Sequence, residues 1–454
     1  MTVVEELARL VTSFDAASLP PRVAEHTKLL LLDTIGCAIA ATPEPACQAV
    51  IRAVEGMGSG SACTIIGFKS RTSAPDAVLA NGGLIRILDL NDSYFGPHGL
   101  SGHPSDNIAV ALAAAEQSGA PGRELLPAIV LGYEIDGRMS DLTPRGLPWD
   151  YPTRTRFIAP VMAGRLMGLD AERLTHALAL SASAGPNMAI ARQGHISAAK
   201  WLAGAMTGHS ALAATMLAAA GLAGPRSVVE GPAGWDAVLP GIDLSQLAAP
   251  LEGSFRIETA SIKAFPCVGT SQASVAAAIE VRQAIAGRAQ DIERVDVRMA
   301  DTQMVRSQLA SAERRHPTSR ESADHGFWFL IATALLDGEM TPRQFEDERW
   351  LKPEVIAMMD RIDIQPDASL NQYTPASYPA VVEVTLKSGE KRRAEVPYSP
   401  GHHMAGMTAE VVIEKFKRVT AGLISDGRQQ EIVDGALGIE QAESVRPLMA
   451  LLAG

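Results

Sequence analysis

The sequence VVEVTLKSGEKRRAEV, residues 381–396, decides the fold class of this chain. Apolar and polar residues alternate on both sides of a central Ser-Gly pair, and this pattern predicts two antiparallel strands joined by a tight turn. A second alternating run, RVDVRM at 294–299, predicts another strand. The segments between these runs have helical patterns, at 322–337, 342–348 and 353–359. Residues 263–397 are therefore predicted to form a small α+β domain.

The rest of the chain has the period of helices. Gly and Pro residues break residues 1–260 into successive helices, with a strand-like pattern only at 63–68, and the helical period returns after residue 401. The predicted fold class is therefore mainly α with an α+β insert. Both chain ends, residues 1–262 and 398–454, are expected to form one large all-helical domain.

Charge and apolar pattern narrow the choice of partner and compartment. The formal net charge of -11 offers no basic surface to nucleic acid or to anionic membranes, so a small molecule is the predicted partner. The first residues carry acids and lack a continuous apolar core, so export is not expected and a cytoplasmic location is predicted. The most apolar stretch, 210–224, is too short to span a bilayer and predicts a buried helix.

The four cysteines, at positions 37, 47, 63 and 267, show neither CxxC spacing nor the density of a disulfide scaffold. This distribution suits a reducing compartment and does not suggest an iron-sulfur cluster. No metal and no cofactor are therefore predicted, and any dehydration should run on side chains alone.

The segment DLNDSYFGPHGLSGHPSDN, residues 89–107, contains acids, two histidines and a serine in a loop before a helix. Pro104 suits a first helical turn and places His103 at the helix entrance, where backbone N–H groups attract a carboxylate. Asp92 is close enough in sequence to orient or charge His103 as a general acid/base, and Ser105 is a candidate substrate ligand. The alternative is a helix-capping histidine with solvated acids. His98 lacks a partnered metal-binding motif.

The segment RQGHISAAKWLAGAMTGH, residues 192–209, supplies Arg192, Lys200 and His209 around a helix start. Lys200 stands among alanines, and a buried lysine is costly unless an anion compensates it, so a substrate carboxylate is one explanation and a solvent-facing position is the other. Nine helical residues rotate through about 900°. Lys200 and His209 can therefore face one cleft only if Lys200 lies in an irregular turn.

The segment SIKAFPC, residues 261–267, places Lys263 where the helical part meets the α+β part. Lys263 is a candidate for binding a carboxylate, and the alternative is a surface lysine whose stem lies along apolar residues. The Gly-rich GMGSG at 56–60 lacks a preceding strand and a GK[ST] ending, and neither a GxSxG elbow nor a Rossmann fingerprint is present.

These segments together resemble the MmgE/PrpD family. LDLNDSYFGPHGLSGHPSDN resembles its LDxND…HPSDN signature, RQGHISAAKW its RxGxxSxxK segment, and SIKAFPC its KxxP segment. The resemblance covers about residues 5 to 420. It implies a helical domain built from both chain ends, a smaller α+β lid domain, a homodimer and an active site in the cleft between the domains. It also implies catalysis beside carboxylates without a metal, with Asp92, His103, Lys200 and Lys263 in the site.

Three positions depart from the family pattern. Tyr151 stands where the family commonly has a histidine, and its higher ordinary pKa makes it a poorer base at neutral pH but leaves it able to donate a proton. His209 replaces a usual Lys or Arg, and Phe329 replaces a frequent tyrosine and so removes a hydroxyl. These changes indicate an altered pocket.

The sequence thus predicts a cofactor-independent lyase that dehydrates a 2-methylcitrate-like hydroxy acid. In this hypothesis His103 and Asp92 handle the proton, Lys200 and Lys263 bind carboxylates, and Tyr151 protonates the leaving hydroxyl. The alternatives are an epimerase or isomerase, a decarboxylase on a related polycarboxylate, and a catalytically inactive carboxylate-binding protein.

Overall fold

The computed structural model describes residues 1–58, 60–97, 101–144, 146–192, 196–251 and 253–454. The α-helices in these residues are α1 Val3–Ser13, α2 Pro21–Ala40, α3 Pro45–Met57, α4 Ala74–Ile87, α5 Ile108–Ser118, α6 Gly122–Leu142, α7 Thr155–Leu166, α8 Ala171–Ala182, α9 Ala199–Ala219, α10 Trp235–Val238, α11 Gln272–Ala284, α12 Gln303–Leu309, α13 Ala312–Arg315, α14 Arg320–Ala323, α15 Phe327–Asp337, α16 Pro353–Met359, α17 Ala409–Thr420, α18 Asp426–Leu437 and α19 Arg446–Leu452. Short 3-10 helices connect several of them.

The strands are β1 Cys63–Thr64, β2 Arg71–Thr72, β3 Tyr94–Phe95, β4 Ser101–Gly102, β5 Ile292–Ala300, β6 Ile362–Asp367, β7 Ala380–Leu386 and β8 Lys391–Val396. The first four form two short antiparallel pairs, β1 with β2 and β3 with β4. The last four form one mixed sheet in the order β6-β5-β7-β8, in which only β5 and β6 are parallel.

The chain divides into two compact units. Unit 1 contains Met1–Ile87, Asn91–Ala260 and Ala409–Gly454, and unit 2 contains Leu88–Leu90 and Ser261–Thr408. All of the four-stranded sheet belongs to unit 2, whereas unit 1 is helical apart from the two short strand pairs. The predicted fold class, mainly α with an α+β insert, is confirmed. The domain boundaries predicted at 262/263 and 397/398 stay a prediction.

Both chain ends pack together in unit 1. Lys415 of α17 forms a buried ion pair with Asp33 of α2, with Nζ 2.6 Å from Oδ1. The ring of Phe416 covers Gly36, where an added Cβ would lie only 2.9 Å from the ring. A buried pair of this kind is hard to break without leaving an uncompensated charge, so it ties α17 to α2.

Small residues let α9 approach α4 closely. A Cβ at Gly82 would lie 2.9 Å from the Cβ of Ala205, and one at Gly83 would lie 3.3 Å from the ring of Trp201. The alanine-rich composition therefore produces close helix packing. This packing brings α9 beside Arg86, one turn further along α4.

The strands agree with the sequence patterns in most places. The hairpin of β7 and β8 and the strand β5 lie where the alternating runs predicted them. The strand-like pattern at 63–68 yields only the two residues of β1. The strand β6 was not predicted, and the helix expected at 322–337 is broken between α14 and α15 at Asp324–Gly326.

By length and composition, α9 is apolar enough to cross a membrane, and 44% of its most apolar window is buried. The bent pair of α2 and α3 passes the same test, which core helices of soluble proteins also pass. We interpret α9 as a core helix because it packs against α4, α7 and α8 and carries a buried lysine, Lys200. The buried helix predicted at 210–224 is the second half of α9, and its Leu217 is exposed.

Candidate functional site

A buried carboxylate, that of Asp92, contacts the 3-10 helix Pro104–Asn107 that leads into α5. Asp92 is 1% exposed, and its Oδ1 accepts hydrogen bonds from the backbone N–H of Ser105 at 3.2 Å and from the Ser105 hydroxyl at 2.5 Å. Its Oδ2 accepts a hydrogen bond from the Tyr133 hydroxyl at 2.8 Å. The anion that the sequence predicted at this helix entrance is therefore supplied by the protein itself, by the side chain of Asp92.

His103 precedes the 3-10 helix Pro104–Asn107 and is partly exposed. Its Nδ1 lies 2.5 Å from the backbone carbonyl oxygen of Asp92. Because a carbonyl oxygen only accepts hydrogen bonds, Nδ1 must carry the proton, and a neutral His103 has its lone pair on Nε2. Asp92 thus orients His103 through its backbone, whereas its carboxylate contacts Ser105 and Tyr133.

The environment of Asp92 makes its carboxyl group titrate near neutrality. Burial raises the pKa of Asp92 from 3.8 to about 7, and the hydrogen bonds from Ser105 and Tyr133 act in the opposite direction. Desolvation disfavours the charged form more than the three donors stabilise it. Both protonation states of Asp92 are therefore populated at neutral pH.

Tyr151 lies beside His103 and a second buried carboxyl group. The ring centroids of Tyr151 and His103 are 5.5 Å apart in an edge arrangement. The Tyr151 hydroxyl donates to Oδ2 of Asp106 at 2.7 Å and accepts from Nε of Arg86 at 3.2 Å. Burial raises the pKa of Tyr151, and the charge of Asp106 raises it further. Tyr151 therefore keeps its proton at neutral pH and is not available as a base.

Asn91 links the two halves of this arrangement. Its Nδ2 donates to the Ser105 hydroxyl and to Oδ1 of Asp106, both at 2.8 Å. Burial also raises the pKa of Asp106, whereas the charge of Arg86 lowers it. We refer to the connected group as the histidine network; its members are Arg86, Asn91, Asp92, His103, Ser105, Asp106, Tyr133 and Tyr151.

One of the predicted cations, Arg192, lies at this network. The guanidinium of Arg192 is 4.6 Å from the centre of the Tyr151 ring, and its Nε is 2.6 Å from Oδ1 of Asp150. The buried Nη2 of Arg192 has no hydrogen-bond partner among the described residues. Arg192 therefore retains a donor that a ligand can use.

Lys200 is 4% exposed and lies in the first turn of α9. Gly204, one turn later on the same face, packs against Asp106, because an added Cβ there would lie 3.3 Å from Oδ2. Lys200 thus lies one helical turn before the point at which α9 packs against the histidine network.

Two predicted substrate ligands have hydrogen-bond partners within the protein. Ser105 is fully buried, and its hydroxyl donates to Asp92 and accepts from Asn91. His209 lies on the same regular helix as Lys200, nine residues away, so it points to the opposite side, where its Nε2 is 3.0 Å from Oδ1 of Asp76. That these two side chains contact substrate stays a prediction.

Unit 2 contains a separate polar group around Lys263, which is 1% exposed. Its Nζ donates to the carboxylate of Asp89 and, at 3.0 Å, to the backbone carbonyl of the same residue. The imidazole of His325 is hydrogen-bonded through Nδ1 to Asp324, and its Nε2 is 3.5 Å from Oδ2 of Asp89. We refer to Lys263, Asp89, Asp324 and His325 as the Lys263 cluster.

The backbone of Asp89 has a φ of 51°, in the left-handed region that side chains other than glycine rarely adopt. Such strain persists only where the surroundings enforce it, and it is frequent at functional sites. The cluster therefore fixes Asp89 in an uncommon conformation beside a buried lysine.

Ligand atoms of Asp89, Asp324 and His325 lie within 4.8 Å of one another, so they could hold a metal ion. Lys263 already places an ammonium group on Asp89, and the hydrogen bond between His325 and Asp324 uses another ligand atom. A metal ion would have to displace both interactions. The donor set therefore fits a network of ion pairs better than a metal site.

Phe329 is fully buried in unit 2 and packs edge-on against Phe345 and Trp350, with ring centroids 5.4 and 6.3 Å away. It is part of an aromatic core there. His98 and residues 193–195 of the RxGxxSxxK-like segment lie outside the described residues.

Sequence reasoning missed several members of both groups. Arg86 and Tyr133 lie inside α4 and α6, and Asp324 and His325 lie between two helices. The sequence contains one signal for Arg86, which is the single charged residue in the apolar run GGLIRIL.

The whole chain is similar to known proteins of one family. The model of the MmgE/PrpD N-terminal domain matches residues 5–246, and the model of the MmgE/PrpD C-terminal domain matches residues 265–439. Cis-aconitate decarboxylase from Homo sapiens is 24% identical over 482 aligned residues, which cover 100% of this chain and 95% of the relative. The 2-methylcitrate dehydratase of Escherichia coli (strain K12) is 25% identical over 441 residues, with 91% of this chain and 89% of the relative covered.

Proposed function

Because this chain belongs to the MmgE/PrpD family, we propose that it is a cofactor-independent lyase that removes water from a hydroxylated di- or tricarboxylate of the 2-methylcitrate type. The similarity to relatives named 2-methylcitrate dehydratase and cis-aconitate decarboxylase supports an enzyme of this family. The observation that carries the proposal is the orientation of His103, whose Nδ1 donates to the Asp92 carbonyl and whose Nε2 is thereby the basic nitrogen.

In the proposed reaction, Nε2 of His103 takes the proton from the carbon next to a carboxylate. The hydroxyl of Tyr151 gives its proton to the departing hydroxyl group, and a carbon–carbon double bond forms as water leaves. Arg86 and Asp106 hold the Tyr151 hydroxyl in place. One group gains a proton and the other loses one, so the elimination needs no electron acceptor.

Cations stabilise the charge that develops on the substrate. Arg192 has an unpartnered buried donor, and Lys200 brings a buried ammonium to the same unit, so both are proposed to bind substrate carboxylates. Lys263 is proposed to bind a carboxylate. Asp92 and Ser105 act by positioning His103 and the turn that carries it.

The direct test is dehydration of 2-methylcitrate and of citrate, followed by the absorbance of the new double bond. His103→Gln should lower kcat by about 10²- to 10⁴-fold, because a positioned general base contributes about that factor. His209→Gln is the matched control, since His209 pairs with Asp76 outside the histidine network, and it should stay within a few-fold of wild type. Equal activity of wild type and His103→Gln would remove His103 from the mechanism.

A decarboxylase is the second candidate, because the alignment with the human relative of that name covers the whole of this chain. The same cations would hold the substrate, and the bond broken would be that to a carboxylate. Release of CO2 from cis-aconitate without loss of water distinguishes this reaction from dehydration.

We also propose that the chain forms a homodimer, as the family resemblance implies. Leu202, Met206, Ala213 and Leu217 follow one face of α9, and Met206 and Leu217 are 59% and 49% exposed. A second copy would cover this stripe. Light scattering should give a dimer mass for wild type and for the control Leu423→Glu, and a monomer mass for Met206→Glu with Leu217→Glu.

A further inference from the structure

The hydroxyl group of Tyr151 has a single hydrogen, and within unit 1 this hydrogen is directed at Asp106. Oδ2 of Asp106 accepts it at 2.7 Å, and Nε of Arg86 donates to the hydroxyl oxygen at 3.2 Å. An ionised carboxylate can only accept hydrogen bonds, and a guanidinium can only donate them. While Asp106 is ionised, the hydrogen of Tyr151 is therefore bound to it and cannot pass to a leaving group.

Protonation of Asp106 reverses the direction of this hydrogen bond. A protonated carboxyl group has an O–H donor, and Oδ2 already lies 2.7 Å from the Tyr151 oxygen. Oδ1 accepts from Nδ2 of Asn91 at 2.8 Å, so the added proton belongs on Oδ2. The Tyr151 oxygen then accepts from Asp106 and from Arg86, and its hydrogen is released for another acceptor.

The charge of Asp106 also affects the acidity of Tyr151. Burial raises the pKa of Tyr151, and the negative charge of Asp106 raises it further. The positive charges of Arg86 and Arg192 lower it. Because protonation of Asp106 removes the negative charge and leaves the two positive ones, Tyr151 is a stronger acid when Asp106 is protonated.

Burial favours the protonated form of Asp106, which is 7% exposed. It raises the pKa of Asp106, whereas the charge of Arg86 and two hydrogen bonds lower it. Burial also raises the pKa of Asp92 and of Asp136, and the charge of Asp106 raises both further, because like charges disfavour each other's ionised form. The charged and titratable groups around Asp106 are Arg86 of α4, Asp92, His103, Asp136 of α6, Tyr151, Arg192, and Lys200, one turn before the glycine of α9 that packs against Asp106. Asp106 therefore keeps its proton to a higher pH than an exposed aspartate does.

We propose that Asp106 is a positioning residue, whose protonated side chain donates to Tyr151 and frees the Tyr151 hydrogen for the hydroxyl group that leaves the substrate. This inference rests on the proposed function, because it states when Tyr151 can act as the acid of that reaction. Nε2 of His103 takes the proton from carbon, the carbon–oxygen bond breaks, and the Tyr151 hydrogen completes the water molecule. Exchange with solvent then restores Tyr151 and His103, and Asp106 keeps its proton throughout.

The experiment measures kcat for 2-methylcitrate from pH 6 to pH 10 in wild type, Asp106→Asn, Tyr151→Phe and the control Asp243→Asn. In wild type, kcat should fall about ten-fold for each pH unit above the pKa of folded Asp106, because only the protonated form supports the reaction. The amide of Asp106→Asn donates to Tyr151 at every pH while its oxygen accepts from Asn91, so its kcat should not fall over that range. Asp243→Asn should follow wild type, because Asp243 is exposed.

Two results overturn the inference in an active enzyme, and melting temperatures report whether each variant folds. One is a folded Asp106→Asn whose kcat follows the wild-type pH curve or lies at the level of Tyr151→Phe. The other is a Tyr151→Phe whose kcat declines in alkali as that of wild type does, since this variant has no hydroxyl hydrogen to release. The second comparison does not require Asp106→Asn to fold.

Infrared spectroscopy tests the inference without turnover. Between pH 5 and pH 9, wild type should show the carbonyl band of a protonated carboxyl group that Asp106→Asn lacks. The frequency of that band should change in Tyr151→Phe, which loses the hydrogen-bond acceptor. If wild type dehydrates no substrate but shows this band with this change, the proposed function fails and the assignment of Asp106 stands. If wild type dehydrates 2-methylcitrate and the band is absent, only the assignment of Asp106 fails.

Discussion

Replacing Asp92 with asparagine should make unit 1 more stable, and increasingly so as the pH rises. The pKa of the Asp92 carboxyl is raised by burial from 3.8 to about 7. Between these two pH values the unfolded chain releases the proton and the folded chain keeps it, so the free energy of unfolding falls as pH rises. Above about pH 7 the carboxylate is ionised in both states, and the loss is complete.

The loss of stability can be calculated from the difference between the pKa values of Asp92 in the unfolded and folded chain. About three pH units at about 1.4 kcal/mol each correspond to about 4 kcal/mol of lost stability at pH 8. Asp92 is 1% exposed, so solvent screens this cost little. Asparagine has nearly the same shape, its oxygen can still accept from Ser105, and its amide can donate to the Tyr133 hydroxyl that previously donated to Asp92.

Asp243 provides the matched control, because its Oδ1 also accepts from the backbone N–H and the hydroxyl of one serine, Ser245. Asp243 is exposed, and these hydrogen bonds, from the side chain of Ser245 first, lower its pKa. Melting temperatures of wild type, Asp92→Asn and Asp243→Asn are compared from pH 5 to pH 8.5. The advantage of Asp92→Asn over wild type should grow by several degrees, whereas Asp243→Asn should show no such gain. A difference between Asp92→Asn and wild type that does not change with pH would refute the reasoning.

Three further changes have expected outcomes. Arg154→Met should lower the free energy of unfolding, measured with heat or urea, by about 3–5 kcal/mol. Arg154 Nε lies 2.9 Å from Oδ1 of Asp136, and the substitution leaves that carboxylate as an unpaired buried charge. A loss below about 1 kcal/mol would contradict this. The melting temperature of His26→Gln should fall less than that of wild type as the pH falls below about 6.5. Burial lowers the pKa of His26, so the unfolded chain takes up the proton first and is favoured in acid. Equal changes of melting temperature with pH in the two proteins would contradict it. Tyr151→Phe should lower kcat for dehydration by about 10²-fold or more with little change in KM, and Tyr151→His should recover part of the loss; full activity of Tyr151→Phe would exclude the hydroxyl as proton donor.

The sheet shows which parts of the fold the sequence could reveal. The period of two is visible in β7, β8 and β5, whose apolar residues alternate toward one face. The strand β6, IDIQPD, contains Pro366, and a proline weakens a strand prediction because it cannot donate to a central ladder. Since β6 is an edge strand paired only with β5, the structure tolerates this proline. Its position at the edge is a property of the whole sheet, which a local pattern cannot express.

The polar groups show the same limit for the candidate site. His103 and Lys263 could be selected from the segments in which they stand, and Tyr151 because it stands where the resembled family commonly has a histidine. Tyr133 could not, because it belongs to an apolar helix 41 residues away from the carboxylate that it contacts. The sequence also does not show which atoms of two residues form a hydrogen bond. The spacing suggested that Asp92 acts on His103, but only the structure shows that the backbone carbonyl of Asp92 contacts His103 and that its carboxylate contacts Ser105.

Tyr151 stands where the family commonly has a histidine, and this difference determines which groups of the histidine network can act as acid and which as base. A histidine at that position could exchange a proton near neutral pH, but the Tyr151 hydroxyl is held by Asp106 and Arg86 in surroundings that raise its pKa. Asp92 titrates near neutrality, yet both of its oxygens are buried and already accept hydrogen bonds. Within the histidine network, His103 is therefore the group left to take a proton from substrate, and Tyr151 the group left to give one. Enzyme chemistry that requires two bases in this network, such as a two-base epimerisation, is disfavoured by that division.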